Sequence, residues 1–290
     1  MLSAKRSTCM HQALRACAAL ILLCIVAGPG SAETVRLTRA DGATLTARMA
    51  GDWSVCGPTV ILSHGLGGDE SALGWMDAPA VAAGYRVLVM EHRESGPRSL
   101  FQARRRGVGQ VLADPAIWSA RAEDLDVALA FARRDGCRPA PLVMGGHSMG
   151  AAPTMMEAGA NGRVPYRPGS QRFDAYIAVS PQGPGTWAFD GVTAWSDVAA
   201  PVLILTGTED SGIDGTTPQS RMQVFDLVPP GQKRLGVVVG ADHLELGGRR
   251  ASTEGEVAAA IAGEFLVQLR QGWAASSLDM PASLAQIQDR

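Results

Sequence analysis

Apolar and polar positions alternate through residues 34–50, with one break at Asp41-Gly42. Period-two alternation puts every second side chain on one face of a strand. An Asp-Gly pair supplies the backbone conformation of a tight turn, so the stretch predicts an antiparallel β-hairpin. The pattern then changes. Pro58–Ser63, Tyr85–Met90, Pro141–Gly146, Asp174–Ser180, Val202–Leu205 and Arg234–Val239 are short, nearly continuous apolar runs, as expected of strands covered on both faces. Between them lie stretches with helical spacing. Residues 71–83 form one, interrupted at Pro79 and stopped by Gly84. Residues 116–134 form a second, with Asp114 as N-cap and Pro115 in the first turn. Residues 149–159 form a third, and residues 253–270 a fourth, with Val257, Ile261, Phe265 and Leu266 on its apolar side. Residues 92–113 read as an irregular, arginine-rich connection, and residues 271–290 as a weakly helical segment packed on the outside. Strands alternating with helices after an initial hairpin predict an α/β fold: a mostly parallel central sheet with helices on both faces. There is no internal repeat and no low-complexity linker.

Residues 1–32 depart from this pattern. Lys5, Arg6 and Arg15 precede an apolar run, Ala16 to Ala27, which ends in Gly28-Pro29-Gly30-Ser31-Ala32. A basic region, a short apolar stretch and a small-residue end describe a secretory signal peptide cut at Ala32/Glu33. The run is short for a bilayer span, and Cys24 follows Leu23 rather than the small residue a lipoprotein anchor needs. The expected organisation is a signal peptide over 1–32 and a single catalytic domain over 33–290, exported to the periplasm or secreted, with no membrane span after cleavage. Removing Lys5, Arg6 and Arg15 from the 26 basic residues leaves 23 against 28 acidic ones, a balance that does not suggest nucleic-acid binding. Of the five cysteines, Cys56 and Cys137 remain after cleavage, and two cysteines in an exported chain suggest one disulfide.

The candidate chemistry begins at Gly146-His147-Ser148-Met149-Gly150, a match to G-x-S-x-G directly after a predicted buried strand and before a predicted helix. That turn passes from strand to helix within a few residues. It needs small neighbours and holds the serine hydroxyl out above the strand end. A serine is a poor nucleophile without a base within hydrogen-bond reach. After residue 32 the histidines are His64, His92, His147 and His243. His147 neighbours the serine and must point away from it. Carboxylates follow the 202–205 strand at Glu209, Asp210 and Asp214. Glycines in Ser63-His64-Gly65-Leu66-Gly67-Gly68 allow close backbone approach to a substrate, which suits an oxyanion-binding loop.

Together Ser63–Gly68, Gly146–Gly150, Gly207-Thr208-Glu209-Asp210 and Asp242-His243 resemble the α/β-hydrolase superfamily, in particular dienelactone-hydrolase-like and secreted lipase- or cutinase-like serine esterases. The four motifs fall in the right order between residue 58 and about 270. The resemblance implies the α/β-hydrolase fold and the chain order serine, acid, histidine, which only His243 satisfies. It selects Asp210 as the acid, with Glu209 and Asp214 as alternatives. It implies oxyanion donors at the Met149 N–H and, in the glycine loop, the Leu66 N–H, with Gly65 or Gly67 as alternatives. It also makes the 58–63 and 141–146 strands parallel neighbours. Cys56 and Cys137 then fall at the same end of the sheet, opposite the active site, and a Cys56–Cys137 bridge follows. Two departures bear on substrate: Ala151-Ala152-Pro153 stand where many relatives carry a further glycine, and dienelactone hydrolases proper use cysteine as nucleophile. The implied activity is hydrolysis of a small-molecule or lipid carboxylic ester through an acyl-enzyme, with no metal or organic cofactor. Thioesterase, amidase and acyltransferase activities are alternatives on the same triad; a non-catalytic hydrolase-fold binding protein is a different class, and a membrane-tethered partner-binding protein that retains its N-terminal helix is a third. Trp187, Leu66 and Met149 are candidates for an acyl pocket.

Overall fold

The computed structural model describes residues 32–167 and 172–290. Nearly all of the predicted signal segment therefore lies outside the described residues. Strands β1 (Glu33–Thr38) and β2 (Thr44–Ala50) form the expected hairpin, paired from Glu33↔Met49 to Thr38↔Thr44. Gly42 takes a left-handed φ of 83° at the turn, where the Asp41 carboxylate accepts the Ala43 N–H. Strands β3 (Thr59–Ser63), β4 (Arg86–Met90), β5 (Leu142–His147), β6 (Ala175–Val179), β7 (Val202–Glu209) and β8 (Lys233–Asp242) are parallel, and β9 (Ala285–Asp289) closes the far edge. The nine strands form one sheet in the order β1-β2-β4-β3-β5-β6-β7-β8-β9, antiparallel only at β1/β2, β2/β4 and β8/β9.

The continuous apolar runs are explained by two buried faces. Ile61, Leu88, Met144, Tyr176 and Ile204 point into one core layer, completed by Trp118 and Leu125 of α4 (Pro115–Ala132), Met155 of α5 (Ala151–Glu157) and Phe225 of α6 (Pro218–Leu227). Their alternates Val60, Val87, Val143, Ile177 and Leu203 point into the other, completed by Ala80 of α1 (Asp77–Ala82) and Ile261, Phe265 and Leu266 of α8 (Thr253–Gln271). Each buried Val, Leu, Ile, Phe or Met side chain among them stabilises the fold by about 1.5–3 kcal/mol relative to exposure.

Two readings of the sequence are corrected, and one helix is added. Residues 92–113 are mostly helical: α2 (Pro97–Arg106) and α3 (Val108–Leu112) fill the connection, with Pro97 at the first helical position and Gly107 between them at φ 95°. Pro and Gly here punctuate two short helices rather than abolish them. Residues 285–289 are the edge strand β9, not helix. Ala285 and Ile287 face the core, Gln286 and Gln288 face out, and Asp289 pairs with Arg234. α6 lay unread between two strands, although Thr217 caps it and Pro218 opens it. Among the described residues no helix is long and apolar enough to cross a membrane.

Cys56 and Cys137 form a disulfide with a Cα–Cα distance of 5.4 Å. They stand just before β3 and β5, which pair from Thr59↔Leu142 to Ser63↔Gly146. The bridge thus ties the end of the sheet opposite His64 and Ser148.

Candidate active site

Ser148 stands at the junction of β5 and a 3-10 turn, Ser148–Gly150, that runs into α5. Its φ is +53°, a left-handed conformation that costs a non-glycine residue about 1–3 kcal/mol and persists only where the surroundings impose it. The surroundings do so by close approach. A side chain at Gly146 would collide with the Gly150 carbonyl, and one at Gly150 with the Ser63 carbonyl at the end of β3. Both motif glycines are required by this packing of turn against strand.

His243 begins the short helix α7 (His243–Leu246). Asp242 caps that helix by accepting the Leu244 and Glu245 N–H groups, while Glu245 accepts the Asp242 N–H. This capping box fixes the imidazole across from β5. His243 Nε2 lies 2.8 Å from Ser148 Oγ and Nδ1 lies 2.6 Å from Asp210 Oδ1. With Nε2 facing the serine hydroxyl, the tautomer consistent with both contacts carries its proton on Nδ1 and donates it to Asp210.

Asp210 follows β7, beyond an irregularity in the β7/β8 pairing between Gly207 and Glu209. It is fully buried, and its second oxygen accepts the Thr206 hydroxyl at 2.8 Å. Burial works to raise its pKa, but the His243 bond and the Arg221 charge outweigh it and hold the carboxyl at about 2. Arg221, on α6, was not recognised in the sequence. Its guanidinium is buried, 3.2 Å from Asp210 Oδ1, and donates to the Asp210 carbonyl and to the Ser180 and Pro181 carbonyls. It pins the acid loop to the loop after β6. The signal in the sequence was an arginine within one turn of a Thr-Pro helix start.

The other candidates separate. Glu209 is exposed at the cavity rim. Asp214 accepts the Trp187 indole N–H at 2.6 Å and the Thr216 hydroxyl, so it braces a loop and does not face His243. Trp187 is turned toward Trp118, 5.7 Å between ring centroids, and is not among the residues lining the cavity at Ser148. Met149 is buried in the core and is not among the residues lining the cavity. His147 is buried beside the turn. Its ring packs 4.6 Å from that of His243, and burial, then the charges of His243 and Arg221, keep its pKa well below the ordinary value. In the glycine loop the Gly67 N–H is engaged by the Ser95 carbonyl, which leaves Gly65 and Leu66 as candidate donors; Leu66 lines the cavity.

That cavity, about 630 Å³, runs from Ser148 and His243 between Leu66, Leu100, Ala103, Arg104 and Val108 on one side and Glu209, Ser211, Ile213, Asp242 and Leu244 on the other. The first wall is built by α2 and α3. Size alone does not select it, since a groove of about 680 Å³ along the outer face of α2 contains no nucleophile–base pair.

Among solved structures the architecture matches an esterase of Pyrococcus furiosus (17% identity, 81% of this chain and 91% of that one, TM-score 0.55). It also matches a protein assigned as a dienelactone hydrolase from Klebsiella pneumoniae (20% identity, 83% and 99%, TM-score 0.58). The esterase domain of a Rhodothermus marinus protein is a third match (18% identity, 81% and 99%, TM-score 0.52). The fold is that of the α/β-hydrolases. No family model and no curated protein matches the chain in sequence. Against this α/β-hydrolase scaffold the order β5–Ser148, β7–Asp210, β8–His243 puts each candidate residue at the carboxyl end of a parallel strand, where open α/β sheets present their ligands.

Proposed function

We propose that the chain is an exported serine hydrolase that cleaves carboxylic esters through an acyl-enzyme, with Ser148, His243 and Asp210 as its triad. The observation that carries this reading is the continuous hydrogen-bonded line from Ser148 Oγ to His243 Nε2 and from His243 Nδ1 to Asp210. In the reaction Ser148 Oγ attacks the ester carbonyl while its proton passes to His243 Nε2. Asp210 holds the imidazole in its tautomer and stabilises the imidazolium. The Met149 and Leu66 N–H groups face the oxyanion. His243 then protonates the leaving alkoxide, takes a proton from water for deacylation, and returns one to Ser148. The apolar wall of Leu66, Leu100, Ala103 and Val108 suits an acyl chain, and the cavity suits a small-molecule ester. The disulfide and the leader-like pattern of residues 1–32 support export.

A fluorophosphonate should modify Ser148 alone among the serines. Ser148→Ala should lower nitrophenyl-ester turnover by about 10³-fold or more with an unchanged unfolding midpoint. Retained turnover would overturn the assignment. A thioester and a peptide run beside the ester series separate esterase from thioesterase and amidase.

A further inference from the structure

A second Ser–His–Asp line lies behind the glycine loop. Ser63 Oγ is 2.9 Å from His92 Nε2, and His92 Nδ1 is 2.7 Å from Asp124 Oδ2. All three residues are buried. Ser63 is no nucleophile, because it is buried and the buried Arg121 guanidinium donates to its oxygen at 3.0 Å. Asp124 is held in turn by Arg39 Nε at 2.6 Å. This line fixes the backbone of His92, and the His92 N–H donates to His64 Nε2 at 2.8 Å.

The consequence falls on His64. A ring nitrogen that accepts a backbone N–H carries no proton, so neutral His64 is protonated on Nδ1. That nitrogen is 2.6 Å from the Gly65 carbonyl oxygen. Gly65 C=O belongs to the same peptide group as the Leu66 N–H. A hydrogen bond to a carbonyl polarises its own peptide and strengthens the N–H on the other side as a donor. Arg121 holds the preceding carbonyl, that of His64, at 3.0 Å. A side chain at Gly68 would collide with the His64 ring, so the loop is shaped around the imidazole.

We infer that His64 is a positioning residue of the oxyanion loop: its Nδ1–H, set by the buried Ser63–His92–Asp124 line, orients and polarises the Gly65–Leu66 peptide whose N–H receives the oxyanion. The inference rests on the esterase reading for its kinetic effect, and on geometry alone for the tautomer.

Two near-isosteric substitutions divide the roles of the ring. The Asn amide nitrogen can occupy the Nδ1 position and donate to the Gly65 carbonyl. The Gln amide oxygen can occupy the Nε2 position and accept from His92, leaving the Gly65 carbonyl with the Gly68 N–H, at 3.1 Å, in place of the shorter imidazole bond. The expected result is that His64→Gln lowers kcat for a nitrophenyl ester by about 10²-fold, near the loss of one oxyanion donor, with KM changed less than about threefold. His64→Asn should stay within about tenfold of the parent kcat. Equal kcat losses in both variants, or none in His64→Gln, would overturn it. Long-range ¹H–¹⁵N spectra of the unsubstituted protein should show His64 protonated on Nδ1 only, and protonation on Nε2 would also overturn it. An inactive parent protein with the Nδ1–H tautomer would sink the esterase reading and leave the loop geometry standing.

Discussion

Ser148 was legible because its backbone conformation leaves a mark in the sequence: only glycines fit where its neighbours meet β3 and α5. His243 was legible through chain order, and Asp210 only through the spacing expected of relatives, since Glu209 and Asp214 carry the same functional group. What separates the three acids is burial and direction, which spacing does not encode. Asp210→Asn should therefore lower kcat by about 10⁴, because an amide NH2 facing His243 Nδ1 donates to it and moves the ring proton to Nε2, the wrong tautomer. Asp214→Asn should cost less than tenfold. Steady-state kinetics of the two variants check this, and comparable losses would return Asp214 to the triad. Arg221, Arg121 and Asp124 were not legible. A charged residue on a helix reads as solvent-facing, and only the assembled sheet shows that Arg121 and Asp124, three apart on α4, both face inward with partners in place.

At the scale of elements, the parallel strands were read well because burial on both faces makes them continuous and apolar. α2, α3 and β9 were misread because short elements carry too few positions for a period to emerge from charge and glycine. The misreading had a functional cost, since α2 and α3 form the wall along which an acyl chain would lie. Val108 is half-buried on that wall. Val108→Trp should shorten the accepted chain, lowering kcat/KM for nitrophenyl octanoate about tenfold or more while leaving the acetate within about twofold. One or two methylenes in an apolar pocket are worth roughly this much. A uniform loss across the series would mean that the wall supports the glycine loop, where Leu100 packs against Gly67, rather than the acyl chain.

Across the whole molecule, burial sets the response to acid. Burial above all pushes the pKa values of His64, His92 and His147 well below the ordinary 6.5. The folded chain keeps them neutral where the unfolded chain protonates them. Their contribution is complete above about pH 6.5 and is lost as pH falls below it. Burial raises Asp124, against the Arg39 bond, to about 6. Below that pH the folded chain holds one proton that the unfolded chain lacks until about pH 4. The three histidines outnumber the one carboxylate, so unfolding below about pH 6.5 should take up protons on balance and stability should fall with the pH there. Denaturant titrations at pH 7, 6 and 5.5 measure it, and a flat profile would refute it. The Cys56–Cys137 bridge, worth roughly 2–4 kcal/mol, is small beside two core layers, so the fold does not hang on it. Its reach is of another kind. It closes a covalent ring around β3, β4 and α1–α4, across 81 residues, and the exposed arginines 98 and 104–106 of α2 lie inside that ring. Arg163 and Arg249 lie outside it. A trypsin cut in α2 therefore releases nothing: the two halves stay tied, and denatured protein runs as one band without reductant and two with it. A cut after Arg163 or Arg249 frees a fragment either way. The bridge lets a protease open the cavity wall without shedding a piece of the chain.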